Sequence, residues 1–573
     1  MARTYVFFIA IACASALIAS SMVSAEVIER TLHVSNINVS LVCSQQLIVV
    51  ANKSLPGPTI EARVGDVIII HVCNDSPYNL TIHWHGIHQK YSAWADGATY
   101  VTQCPIRPGN NYTYKFTITR QEGTLWWHAH HVSLRATLYG AFIVRPPKGQ
   151  SYPYKLFPYK EVVITLGEWW NANVVDVEME ALASGKNFNN SDAFTINGLP
   201  GDLYPCTSQN ETYELKVVQG KTYLLRIINS ALSKQLFFMI ANHHFTVVAV
   251  DSSYTNPFKT DVVLMVPGQT TDVLLTADQL PGTYYMAARA YASAGRIPTE
   301  NTTTRARLVY DCANSNASTP PMPRLPDFKD TATAYTFNSN LTALVTAPFR
   351  YPVPTNVDHH MFITIGLGFS PCGENATCKG PLGLRFAGSM NNISFVFPHQ
   401  ESIMEAHYYE HSGVYYTGFP DQPPRIFDYT NSSLSFDKSL FMTNKSTIVK
   451  EFEFNSTVEI VLQNTALVAI ESHPMHLHSF DFHVLAQGFG NFDPKNDPAK
   501  FNYKNPQIRN TLAVAIGGWA AIRFRADNPG AWLMHCHVDA HVPWGLAAVF
   551  IVNNGGTKDS ALPPPPKDLP SCA

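Results

Sequence analysis

The chain has 573 residues, 46% apolar and only 14% charged, with a net charge of −3. That length leaves room for three or four domains with real cores, and the apolar content is too high for a disordered chain. No basic excess exists to hold nucleic acid or an anionic membrane surface. Against so few charges the 22 histidines stand out, and imidazole in such abundance points to metal rather than to salt bridges.

The N-terminus runs Met1-Ala-Arg-Thr into an apolar stretch from Tyr5 to Ile18, then Val23-Ser24-Ala25, a small-x-small cleavage signal. Residues 1–25 therefore read as a secretory signal peptide cut after Ala25, and no later apolar run is long enough to span a membrane. Fifteen Asn-x-Ser/Thr sequons, Asn38, Asn74, Asn79 and Asn455 among them, agree with export. They imply a surface carrying N-linked glycans, with Asn74 the poorest acceptor because Pro77 follows its sequon. Of ten cysteines, Cys13 leaves with the signal peptide, and Cys536, between two histidines, is a metal-ligand candidate. The other eight suit disulfides in an oxidising compartment, with the pairing left open.

The mature chain is rich in strand-like runs broken by Pro, Gly and Asn, and poor in helical periodicity; residues 175–184 are the modest helix candidate. One plan recurs three times. A nine-residue step ends in Asn at Gly65–Asn74, Gly220–Asn229 and Asn455–Asn464. A His-bearing strand follows each, and then a Gly-plus-aromatic strand opening at Gly123, Gly282 and Gly530. The reading is all-β: three consecutive β-sandwich domains over residues 26–148, 149–312 and 341–573, with 313–340 as a Pro- and Asn-rich linker. The middle domain has Ala287 and Arg289 where the others have histidines, so it reads as a metal-free spacer.

In a strand, side chains two apart share a face. His83/His85, His128/His130, His476/His478 and His535/His537 are four such pairs, two in the first domain and two in the third. Eight converging imidazoles suit a copper cluster between those domains better than zinc. Alternation turns Cys536 away from its neighbours, where it joins His473 and His541 in a His₂Cys arrangement of blue-copper type. The axial position, ten residues after the cysteine, is Leu546 rather than Met. His88, His131, His243, His244, His359, His360 and His483 lie off these motifs and read as structural.

The four segments His83-Trp-His-Gly86, Trp127-His-Ala-His130, His473-Pro-Met-His-Leu-His478 and His535-Cys-His-Val-Asp-Ala-His541 resemble the copper signatures of multicopper oxidases. Trp94-Ala-Asp-Gly97, Gln103-Cys-Pro105, Thr195-Ile-Asn-Gly198 and Leu569-Pro-Ser-Cys572 are most similar to plant laccases. The resemblance implies three cupredoxin domains and four coppers. His473, Cys536 and His541 take the type 1 ion, and His83 and His476 the type 2 ion. His85, His128 and His537 take one type 3 ion; His130, His478 and His535 take the other. It implies Asp96 and Asp539 as acids near the cluster, with orientation of a histidine as the simpler role for either. It also implies disulfides Cys104–Cys572, Cys43–Cys206 and Cys372–Cys378, with Cys73 and Cys312 outside the pattern. The position matching an acidic, phenol-contacting residue of related fungal enzymes is Asn242, which is neutral, and no acid stands out beside the type 1 site.

The expected activity is one-electron oxidation of phenols, such as monolignols or flavonoids, coupled to reduction of O₂ to water by a monomeric enzyme of the apoplast or cell wall. An ascorbate or metal-ion oxidase shares every copper ligand. A non-catalytic wall glycoprotein on this fold loses ligands, and this chain loses none.

Overall fold

The computed structural model describes residues 25–572 apart from 155–156, 208, 293–299, 312–318, 347–348, 350, 374–376, 466 and 469–470. The signal-peptide reading falls almost wholly outside the described residues, as do Cys312 and the start of the expected linker.

Six sheets pair into three sandwiches, of four and four, six and five, and eight and six strands along the chain. The recurring Gly-to-Asn segment has the same role in each. The strands Val67–Asn74, Thr222–Asn229 and Ser456–Asn464 each lie between a parallel partner and an antiparallel one. Their apolar residues face the core, and in the first the burial alternates strictly, as period-two patterning requires. Each closing asparagine pins a corner through its side-chain amide. Asn74 donates to the carbonyls of Tyr78 and Ile106, Asn229 to Lys234 and Met265, and Asn464 to Glu471 and Val514. A buried amide so bonded is costly to replace. Asn74 is therefore a corner residue, 1% exposed, and its sequon offers no free nitrogen to a glycan.

The helix candidate forms as Val174–Ser184, capped by the Asn173 side chain on the Val175 amide and ended by Gly185 in the left-handed region. The expected linker is less loose than its composition suggests. Residues Thr331–Ser339 form a helix, capped by Asp330, whose Ala334 and Phe337 enter the second domain's core. Disulfides join Cys43 to Cys206, Cys104 to Cys572 and Cys372 to Cys378, and Cys73 is a free thiol. No helix among the described residues is long and apolar enough to cross a membrane.

Candidate metal centre

Two strands in the first sandwich and two in the third carry the histidine pairs, and the same register aligns them. His83 pairs with His128 across Ile82–His85 and Gly123–Ala129. His476 pairs with His535 across His473–Leu477 and Gly530–Cys536. Gly123 and Gly530 open the second strand of each pair at φ of +137° and +143°, where a side chain would be strained. The two domains then interleave: the His83 ring stacks on His478 at 4.0 Å and the His85 ring on His476 at 3.8 Å.

Hydrogen bonds to the outer nitrogens fix the tautomers. Nδ1 of His83, His128, His476 and His535 each donates to a backbone carbonyl, those of Asp96, Ala129, Asn510 and Cys536. His478 Nδ1 donates to Asp96 Oδ2 at 2.8 Å. A carbonyl only accepts, so Nε2 is left as a bare lone pair on each of these rings. Yet His83 Nε2 faces His476 Nε2 at 3.4 Å, and His478 Nε2 faces His535 Nε2 at 3.3 Å. Nε2 of His128 and of His130 has no partner at all. Buried acceptors that face one another without a proton require a cation between them. Protons do not supply it. Burial, reinforced by neighbouring imidazoles, holds His85, His128, His130, His476, His478 and His537 well below the ordinary imidazole range. His535 falls to about 3 through burial. Donor type, burial and convergence all fit transition-metal ions.

The second set lies beyond Cys536. Its Sγ is 3.2 Å from His541 Nδ1 and 3.7 Å from His473 Nδ1. Burial pushes the thiol well above its usual range, so it is a thiolate only with a metal bound. Leu546 is fully buried, and its backbone carbonyl accepts from the Cys536 amide.

Around the sets, Asp96 is wholly buried and accepts from two imidazoles, from His478 at its carboxylate and from His83 at its backbone carbonyl, which orients both rings. Asp539 is 19% exposed and pairs with Arg135 at 3.1 Å. Burial raises its carboxyl despite Arg135. Arg135 also reaches His537 Nδ1 at 2.7 Å, a contact sequence reasoning missed. Behind them Glu178 accepts from the amide and hydroxyl of Ser133. Burial, then the nearby Asp539 charge, lifts it to about 7.

One expectation is corrected. An acid does stand beside the His473–Cys536–His541 set: Glu471 Oε1 is 3.2 Å from His541 Nε2. It lies two residues before His473, so the signal was in the motif's flank. Asn242, by contrast, sits in the exposed turn after the strand Gln235–Ile240, away from that strand's Gln235 end, where Gln235 meets Ser472. Of the histidines off the motifs, His88 bonds Asp481 at 2.9 Å and His243 bonds the Ala241 carbonyl and the Tyr310 hydroxyl, whereas His483 Nδ1 is buried without a hydrogen-bond partner.

Multicopper oxidase family models match residues 33–149, 160–313 and 418–556. Laccase-7 of Arabidopsis thaliana is 57% identical over 98% of this chain and 99% of its own length. Laccase-24 of Oryza sativa subsp. japonica is 52% identical, covering 96% and 97%. The chain belongs to the multicopper oxidase family. As a member of its laccase group it is an oxidoreductase, and copper is the metal the family binds. Among solved structures, the laccase from Botrytis aclada matches at 26% identity with a TM-score of 0.69, covering 94% of this chain and 89% of that one. Fet3p, a multicopper oxidase of iron import, shares the fold at 23% identity with a TM-score of 0.73, covering 92% and 90%.

Proposed function

We propose that the chain is a secreted, monomeric laccase holding four coppers, which takes single electrons from phenols and reduces O₂ to water. The observation that carries the reading is the facing of bare Nε2 lone pairs, His83 against His476 and His478 against His535. His473, Cys536 and His541 would hold the type 1 ion, and the buried Leu546 beside them would offer it no further donor. His83 and His476 would hold the type 2 ion. His85, His128 and His537 would hold one type 3 ion, and His130, His478 and His535 the other. One-electron transfer and O₂ reduction are the chemistry that copper supplies when bound there.

The chain's own residues set the conditions for it. Cys536 is covalently continuous with His535 and His537, so the two metal sets share one strand end. Asp96 fixes two imidazoles in the tautomer that presents Nε2 inward. Asp539, partly exposed and held by Arg135, is positioned to carry protons toward the buried set. Glu471 holds His541 and is 24% exposed, at the solvent edge of that imidazole. The leader sequence and the exposed sequons support export to the apoplast or cell wall.

A metal-ion oxidase is the second reading, favoured by that one carboxylate at His541. Metal analysis and a comparison of phenol, ascorbate and Fe(II) turnover test both. Four coppers per chain, with phenol preferred, is the expected outcome. A preference for Fe(II) establishes the alternative, and a copper-free, inactive protein removes both.

A further inference from the structure

A cleft of 590 Å³ opens between the second and third sandwiches. That volume is typical of sites for drug-sized molecules. Neither His541 nor Glu471 lines it, so it is not the His541 edge of the type 1 set. Its inner end nonetheless reaches the other ligand. Ser472, which the Gln235 amide meets across the domain boundary, precedes His473. Ala513, also in the wall, is paired with Pro474, the residue after His473.

The walls specify a ligand class. Tyr335, from the helix Thr331–Ser339, and Phe489, from the third domain, face each other at the mouth with ring centroids 5.4 Å apart. Both are exposed, at 48% and 55%. Deeper in, Tyr291 and Trp519 are 9% and 3% exposed. Among the described residues no carboxylate lines the cleft, and the one cation, Lys500, is tied to Asp497 at 2.7 Å. Uncharged amides, Gln487 and Asn338 among them, complete it. Metal ions and acidic reductants find no free counter-charge there. Aromatic surface stands at both ends, so a single ring would engage only one of them.

We propose that this cleft docks a neutral phenol of two or more aromatic rings, with one ring packed against the touching Tyr335–Phe489 pair and another toward Ser472. The proposal rests on the laccase reading above and narrows its substrate. It separates a multi-ring phenol from a one-ring diphenol by contacts made at the mouth.

Calorimetry on the copper-loaded protein tests it with a fully O-methylated stilbene, a two-ring ether with no oxidisable hydroxyl. The ether should bind the native protein, and Tyr335→Ala with Phe489→Ala should weaken it about tenfold. In parallel, kcat/KM for the free two-ring phenol, taken relative to a one-ring diphenol, should fall about tenfold. Both residues are exposed, so the double variant tests contact rather than folding. Leu280→Ala, 79% exposed and outside the cleft, is the neutral control. Three results overturn the proposal: no binding of the ether to native protein, equal binding to the double variant, or binding of cellotetraose with the same loss, which makes the cleft a carbohydrate site. Failure of the laccase reading shows separately, as loss of blue absorbance and of one-ring diphenol turnover, because the methylated probe needs no turnover.

Discussion

Glu471 places Oε1 3.2 Å from Nε2 of His541, with the carboxylate 24% exposed and the imidazole 3%. Burial alone would raise this carboxyl, but His541 and then His473 and Lys234 pull it down to about 2. It is therefore an anion at any working pH. Glu471→Gln keeps the size and removes the charge. The expected result is retained blue absorbance, a raised type 1 reduction potential, and, for a one-ring diphenol small enough to react at the His541 edge outside the cleft, a kcat/KM lower by about 10- to 100-fold. An outer-sphere reductant without a proton to lose should be much less affected. Equal losses for both reductants would show that Glu471 only holds His541 in place.

The convergence of the histidines was legible because their pattern is local in sequence. His-x-His needs only the two-residue strand period, and four copies in two related domains excluded coincidence. The three sandwiches were legible because the Gly-to-Asn strand recurs with its corner asparagine. What escaped depends on contacts between distant segments. Arg135 meets His537 only when the first and third domains pack, and nothing in its own short 3₁₀ turn announces that. Glu471 was overlooked because its partner lies seventy residues on, across a chain reversal. The linker's Pro and Asn content hid a helix whose stability comes from Ala334 and Phe337 in a neighbouring core, not from propensity.

Asn74 gives a prediction opposite to its sequon. Its amide nitrogen is committed to the carbonyls of Tyr78 and Ile106 at 2.8 and 2.9 Å. Peptide mapping of protein expressed through a plant secretory pathway should find Asn74 bare while exposed Asn79 and Asn455 carry glycan. Asn74→Ala should cost about 1–3 kcal/mol by leaving those acceptors unmet, read as a lower melting temperature. A glycan on Asn74 would contradict the corner described above.

Leu546 offers a second lever on the type 1 set. It is fully buried, with its Cβ against Gly388. Leu546→Met conserves volume and should cost less than about 1.5 kcal/mol. A thioether there supplies the weak axial donor that leucine lacks, so the reduction potential should fall. Redox titration against a mediator series reads the shift. An unchanged or higher potential would mean that residue 546 does not occupy the axial position.

Glu178 makes stability depend on pH in an unusual direction. It is 3% exposed, accepts from Ser133 at 2.5 and 2.8 Å, and forms no ion pair among the described residues. Its carboxyl rises from 4.5 in the unfolded chain to about 7 in the folded one, chiefly through burial and then through Asp539. Between those values the folded form binds more protons than the unfolded form. Stability from this group is thus full below about 4.5 and is lost as pH rises through 7, by about 3 kcal/mol at most. Glu178→Gln preserves an acceptor for both Ser133 donors and removes the titration. The variant's melting temperature, relative to native, should therefore climb between pH 5 and pH 8, with copper loading held equal. Parallel curves across that range would show that Glu178 stays ionised in the folded protein, compensated by Arg135.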